Sequence, residues 1–131
     1  MSTARKVLIV DDDAEFVESN KDLFEAFGYE VYTAADGASG LEMARKVQPQ
    51  VIILDVMMAT DTEGFEIARK IPEAPELKNT KVLLVTGITK ALHLPQSLKP
   101  DETWLPVDRV LDKPISPDRL IHEVQKLLGG H

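Results

Sequence analysis

The amino-acid sequence predicts an α/β protein in which a five-stranded parallel sheet lies between two layers of helices. Five short runs dominated by Val, Ile and Leu recur along the 131 residues, the stretches between them carry the apolar spacing of amphipathic helices, and cap or turn residues separate the two kinds of segment. A strand covered on both faces reads as a continuous apolar run, whereas a half-exposed antiparallel strand alternates. Parallel strands linked through helices need right-handed crossovers, which lay helices on both faces of the sheet.

Val7-Leu8-Ile9-Val10 is the first strand. Phe16, Val17, Leu23, Phe24 and Phe27 then share one face of a helix that Asp13 caps and Gly28 ends in a left-handed turn. The second run, Val31-Tyr32-Thr33-Ala34, is more mixed and belongs at a sheet edge. After Asp36-Gly37 comes a helix bearing Leu41, Met43, Ala44 and Val47, which Pro49 stops before the third strand, Val51-Ile52-Ile53-Leu54. A short helix from Phe65 to Ile71 ends at Pro72 and Pro75, and Val82-Leu83-Leu84-Val85 is the fourth strand. From Ile88 to Pro106, Pro95, Pro100 and Pro106 leave room for only a short helix and an irregular loop holding Trp104. Val107 to Leu111 is the fifth strand. The last helix has Ser116 as cap, Pro117 in its first turn, Asp118 at its positive end, and Leu120, Ile121, Val124, Leu127 and Leu128 on one stripe before Gly129-Gly130.

Residues 1–131 are expected to form one domain without an effector, since a chain of this length can bury about two-thirds of its unfolded surface in a single core. With 15 Lys plus Arg against 22 Asp plus Glu the net charge is −7, which offers no basic field for nucleic acid. The absence of cysteine excludes disulfides, thiolate zinc sites and cysteine nucleophiles. Only four apolar residues, Val7 to Val10, follow the amino terminus before Asp11, too few for a signal or membrane segment, and a cytoplasmic location is expected.

The chemistry collects at the carboxyl ends of the strands, the edge where open parallel sheets bind ligands. Asp11 and Asp12 follow the first strand, Asp55 the third, Thr86 ends the fourth, and Lys113 follows the fifth. Singly, each has a plain structural role as cap, strand former or solvated side chain; jointly they put carboxylates, a hydroxyl and an ammonium on one rim. If the first and third strands are neighbours, the three aspartates converge, and two charges about 4 Å apart repel by about 4 kcal/mol at an effective dielectric of 20. Lys113 is a single cation, so a divalent ion on oxygen ligands is needed, and Mg²⁺ suits carboxylates and phosphate oxygens; zinc is disfavoured without Cys or His on the rim. A carboxylate can attack phosphorus while a metal, an ammonium and a hydroxyl stabilise the transferring group. Asp55, alone after the central strand, is the expected nucleophile, with Asp11 and Asp12 holding the metal.

These residues resemble the receiver domain of two-component response regulators: Val10-Asp11-Asp12, Leu54-Asp55-Val56-Met57-Met58, Val85-Thr86-Gly87 and Asp112-Lys113-Pro114 stand in the family's order along the whole chain. The resemblance implies a sheet in flavodoxin-like order 2-1-3-4-5. It makes Asp55 the phosphoacceptor, served by a histidine kinase or a phosphotransfer protein, in a chain that catalyses only its own phosphorylation and dephosphorylation. It makes Asp12, Asp55 and the Met57 carbonyl Mg²⁺ ligands, has Asp11 act through water, and brings Thr86 and Lys113 to the phosphoryl group, with a cis Lys113-Pro114 peptide. Partners would be that donor and an output protein, with a second copy of the chain a further candidate. Three departures stand out. Ala59 replaces the family's Pro in a loop, Thr60 to Gly64, one residue longer; Val110 occupies the place of the switch aromatic; and Thr86 and Lys113 lie 27 positions apart, the excess falling in the proline-rich stretch with His93 and Trp104. Trp104, His93 and His122 are read as packing or surface residues.

The alternative is a phosphorylation-independent interaction module on the same fold, suggested by Val110 and the altered 88–106 stretch. A haloacid-dehalogenase-type phosphatase would want Asp-x-Asp-x-Thr/Val, where this chain has Asp11-Asp12-Asp13-Ala14-Glu15. A dinucleotide site would want G-x-G-x-x-G after the first strand, which is missing.

Overall fold

Successive side chains of a strand point to opposite faces, so an unbroken apolar run feeds two cores at once. The computed structural model describes residues 5–55, 63–86, 107–112 and 115–129, with 63–66, 86 and 112 described through their backbone alone. Its strands are β1 (Lys6–Val10), β2 (Glu30–Ala34), β3 (Val51–Asp55), β4 (Lys81–Thr86) and β5 (Arg109–Asp112). They form one parallel sheet in the order β2-β1-β3-β4-β5, as the sequence and its family resemblance imply. The mixed strand, β2, is at an edge; the fifth begins at Arg109 rather than Val107.

Among the described residues, four helices flank the sheet: α1 (Ala14–Ala26), α2 (Gly37–Val47), α3 (Glu63–Lys70) and α4 (Pro117–Leu127). Val7, Ile9, Val51, Ile53, Leu83, Val85 and Leu111 pack with Phe24 of α1 and with Leu120, Ile121 and Val124 of α4. Their alternate neighbours, Leu8, Val10, Ile52, Leu54, Val82 and Leu84, pack with Ala44 of α2 and with Ile67 and Ala68 of α3. The result is a three-layer sandwich whose two cores are divided by strand parity.

The helix boundaries follow the expected signals. The Asp13 carboxylate accepts from the backbone N–H of Glu15 and Phe16 at the start of α1, and Gly28 continues past its end at φ 90°. The Asp36 carboxylate accepts from Ser39 N–H at the start of α2, and Gln48, at φ 51°, turns the chain into Pro49. The Ser116 hydroxyl accepts from Arg119 N–H ahead of Pro117. After α3 the prolines produce two 3₁₀ turns, Ile71–Glu73 and Pro75–Leu77. One sequence reading is corrected: Phe27 does not join the buried face of α1 but is 55% exposed, because the helix ends at Ala26 and Phe27 is the cap residue beyond its last turn.

Gly40 is where α2 meets β1. A Cβ there would stand 2.8 Å from Val10 Cγ2 and 2.9 Å from Cγ1, inside van der Waals contact, so glycine permits an approach of helix to strand one residue before Asp11.

Candidate functional site

The register of the two central strands assembles the site. Val10 pairs with Leu54 as the last partners of β1 and β3, so Asp11 and Asp55 each follow a matched pair on adjacent strands. Both are almost completely buried, at 3% exposure, whereas Asp12 is exposed. One carboxylate oxygen from each of Asp11, Asp12 and Asp55 lies within 4.8 Å of the others. The convergence expected from the strand ends is therefore present.

Asp11 is held from two directions. Its backbone N–H donates to the Ala34 carbonyl at the end of β2, 3.0 Å away. Its carboxylate oxygen Oδ1 accepts from the Asp13 N–H at 2.9 Å. The loop between β1 and α1 is thus tied both to the neighbouring strand and to itself.

Charges at this separation, about 4–5 Å, repel by about 3–4 kcal/mol per pair at an effective dielectric of 20, less where Asp12 meets solvent. Among the described residues the donor set is oxygen only, with neither His nor Cys in the cluster. Hard divalent cations take such ligands, and Mg²⁺ held by a few carboxylates characteristically keeps waters and places for phosphate oxygens. These residues fit Mg²⁺.

The other expected members of the rim are placed less fully. Thr86 ends β4, its backbone in register with Asp112 of β5, on the same carboxyl edge as Asp55. Met57, Lys113 and the Lys113-Pro114 peptide lie outside the described residues, as do Ala59, His93, Trp104 and the whole 88–106 stretch. Val110 is partly buried in β5 and packs against the core beneath α2 and α3.

Sequence reasoning missed contacts around the site and on α4. The hold of the Ala34 carbonyl on Asp11 is a backbone contact between segments distant in sequence, and no residue type advertises it. Glu123, buried on the inner side of α4, pairs with Arg109 of β5 at 3.1 Å and with Arg119 at 3.4 Å. The Arg119–Glu123 spacing of four was visible in sequence; the cross-element partner was not.

The pattern of the response regulator receiver domain family matches residues 7–125. The chain is 28% identical over 128 residues to the polar-differentiation response regulator DivK of Brucella anthropi, covering 95% of this chain and 97% of that protein. Among solved structures it is similar to the chemotaxis response regulator CheY4 of Vibrio cholerae, with a TM-score of 0.78, 30% identity, and coverage of 95% of this chain and 99% of that one. It shares its fold with the receiver domain of the sensor histidine kinase PA1611 from Pseudomonas aeruginosa, at a TM-score of 0.78, 18% identity, and coverage of 98% and 100%; that structure has a magnesium ion coordinated in its active site cleft.

Proposed function

The chain belongs to the receiver domain family of response regulators, and from that premise we propose that it is a Mg²⁺-dependent phosphoacceptor in which Asp55 receives a phosphoryl group from a phosphohistidine. The donor is a sensor kinase or a phosphotransfer protein, and the phosphorylated domain acts in the cytoplasm on an output protein rather than on nucleic acid. The observation that carries this reading is the convergence of Asp11, Asp12 and Asp55 at the ends of two adjacent central strands.

Asp55 is suited to the nucleophile's part because it ends the central strand, on the carboxyl edge where open parallel sheets bind ligands. An Asp55 carboxylate oxygen attacks phosphorus; the O–P bond forms as the P–N bond of the donor breaks, and the electron pair leaves on the imidazole nitrogen. Water attacking the same phosphorus later returns the Asp55 carboxylate and inorganic phosphate, so the chain turns over nothing but its own phosphorylated state. Asp11, Asp12 and Asp55, with the Met57 carbonyl, would hold Mg²⁺, which neutralises charge on the transferred oxygens when bound. Thr86 donates its hydroxyl proton to one phosphoryl oxygen and Lys113 pairs with another, the roles that the family resemblance gives them. Phosphate on Asp55 then shifts the populations of the loops after β3 and β4.

Asp55→Asn should abolish labelling by acetyl phosphate or by a phosphorylated kinase, with the fold intact by circular dichroism. Full labelling of that variant would refute the assignment. Val110 favours a second reading, a domain that binds partners without phosphorylation, since an aliphatic side chain packed on the core offers no aromatic switch. Beryllofluoride titration followed by amide shifts separates the two, because a plain scaffold would not respond.

A further inference from the structure

Asp13 stands beside the acidic cluster without belonging to it, and its two halves face different neighbours. Its carboxylate Oδ1 accepts from Glu15 N–H at 3.1 Å and Phe16 N–H at 3.3 Å, closing the first turn of α1. Its backbone N–H points the other way and donates to Asp11 Oδ1 at 2.9 Å. Asp13 has the extended backbone of a cap residue, φ −84° and ψ 103°, and that conformation lets one residue serve both contacts.

We propose that Asp13 is a positioning residue for the cation site: by capping α1 it fixes its own N–H on Asp11 Oδ1 and so sets the direction in which Asp11 faces a bound divalent ion. This rests on the metal-binding part of the function proposed above. A carboxylate that rotates freely must be ordered when the ion arrives, whereas one already held by an N–H has lost that freedom beforehand. The Ala34 carbonyl accepts from the Asp11 backbone N–H, and the Asp13 N–H acts on the carboxylate itself, restricting its rotation. The contribution of Asp13 is therefore geometric and passes through its cap, not through its negative charge.

Serine separates these two explanations, because it caps a helix without bearing charge. Calorimetric Mg²⁺ titration of the full chain should give about a tenfold weaker affinity in Asp13→Ala, the lower end of what loss of an outer-shell partner costs. Asp13→Ser should stay within about twofold of the parent by the same measure. In an Asp11→Ala background the Asp13→Ala change should have no further effect, since the group it orients is gone. A Ser variant as weak as the Ala variant, an Ala variant matching the parent, or full additivity with Asp11→Ala would each overturn the proposal. A change in global stability alone would not move the affinity of the folded chain. Amide exchange at position 13 without metal is the second arm: it should quicken in Asp13→Ala and stay slow in Asp13→Ser, and equal rates in all three chains would overturn the proposal as well. If the parent chain takes up no Mg²⁺, the functional reading falls by itself while the exchange arm still decides whether the cap holds Asp11.

Discussion

Asp36 shows how a single carboxylate ties this fold to pH. Its pKa is lowered by the hydrogen bond from the Ser39 N–H, which favours the charged form at the start of α2. Because the folded value lies below the unfolded one, the stabilisation is complete above the ordinary carboxylate range and is lost as pH falls through the folded value. Asp36→Asn keeps a capping oxygen without titrating, so denaturant unfolding should show a smaller loss of stability between about pH 5 and 2 than in the parent chain. An identical acid dependence in the two chains would contradict this. The caps at Asp13 and Ser116 were legible because a cap needs one residue type at one position, a local matter. Asp13's grip on Asp11 was not, because it depends on where a backbone N–H points after the turn has formed.

Phe24 and Phe27 illustrate the limit of periodicity at the scale of an element. Both fit the apolar stripe of α1, yet Phe24 is wholly buried and Phe27 is exposed beyond the helix end. Phe24→Ala should cost about 3–5 kcal/mol in chemical denaturation, and Phe27→Ser should stay within about 0.5 kcal/mol of the parent. The stripe predicts a face only as far as the helix runs, and Phe27 is the cap residue one position past its end. The strands were more legible than the helices' ends, because continuous Val, Ile and Leu runs have no other favourable place in a chain of this size. The closeness of α2 to β1 at Gly40 could not be read from an isolated glycine in a helix, since it is the facing Val10 that makes the space tight.

For the whole molecule, a cation that binds the three aspartates only when the strands are assembled must stabilise the native state. At a Mg²⁺ concentration one hundred times its Kd the gain is about 2.7 kcal/mol, a rise in melting temperature of about 10 °C. Asp12→Ala should lose most of that rise, and a parent chain whose melting temperature ignores Mg²⁺ would remove the ion from the proposed function. The aspartates themselves, the five strands and the cap of each well-marked helix were determined by the sequence, because residue type and local spacing decide them. Tertiary structure alone decided that β1 and β3 are neighbours in a register that sets Asp11 beside Asp55, that the Ala34 carbonyl and the Asp13 N–H fix Asp11 in place, and that Glu123 meets Arg109. These are contacts between segments far apart in the chain or between backbone groups carrying no residue signature, and their geometry exists only once the sheet has closed.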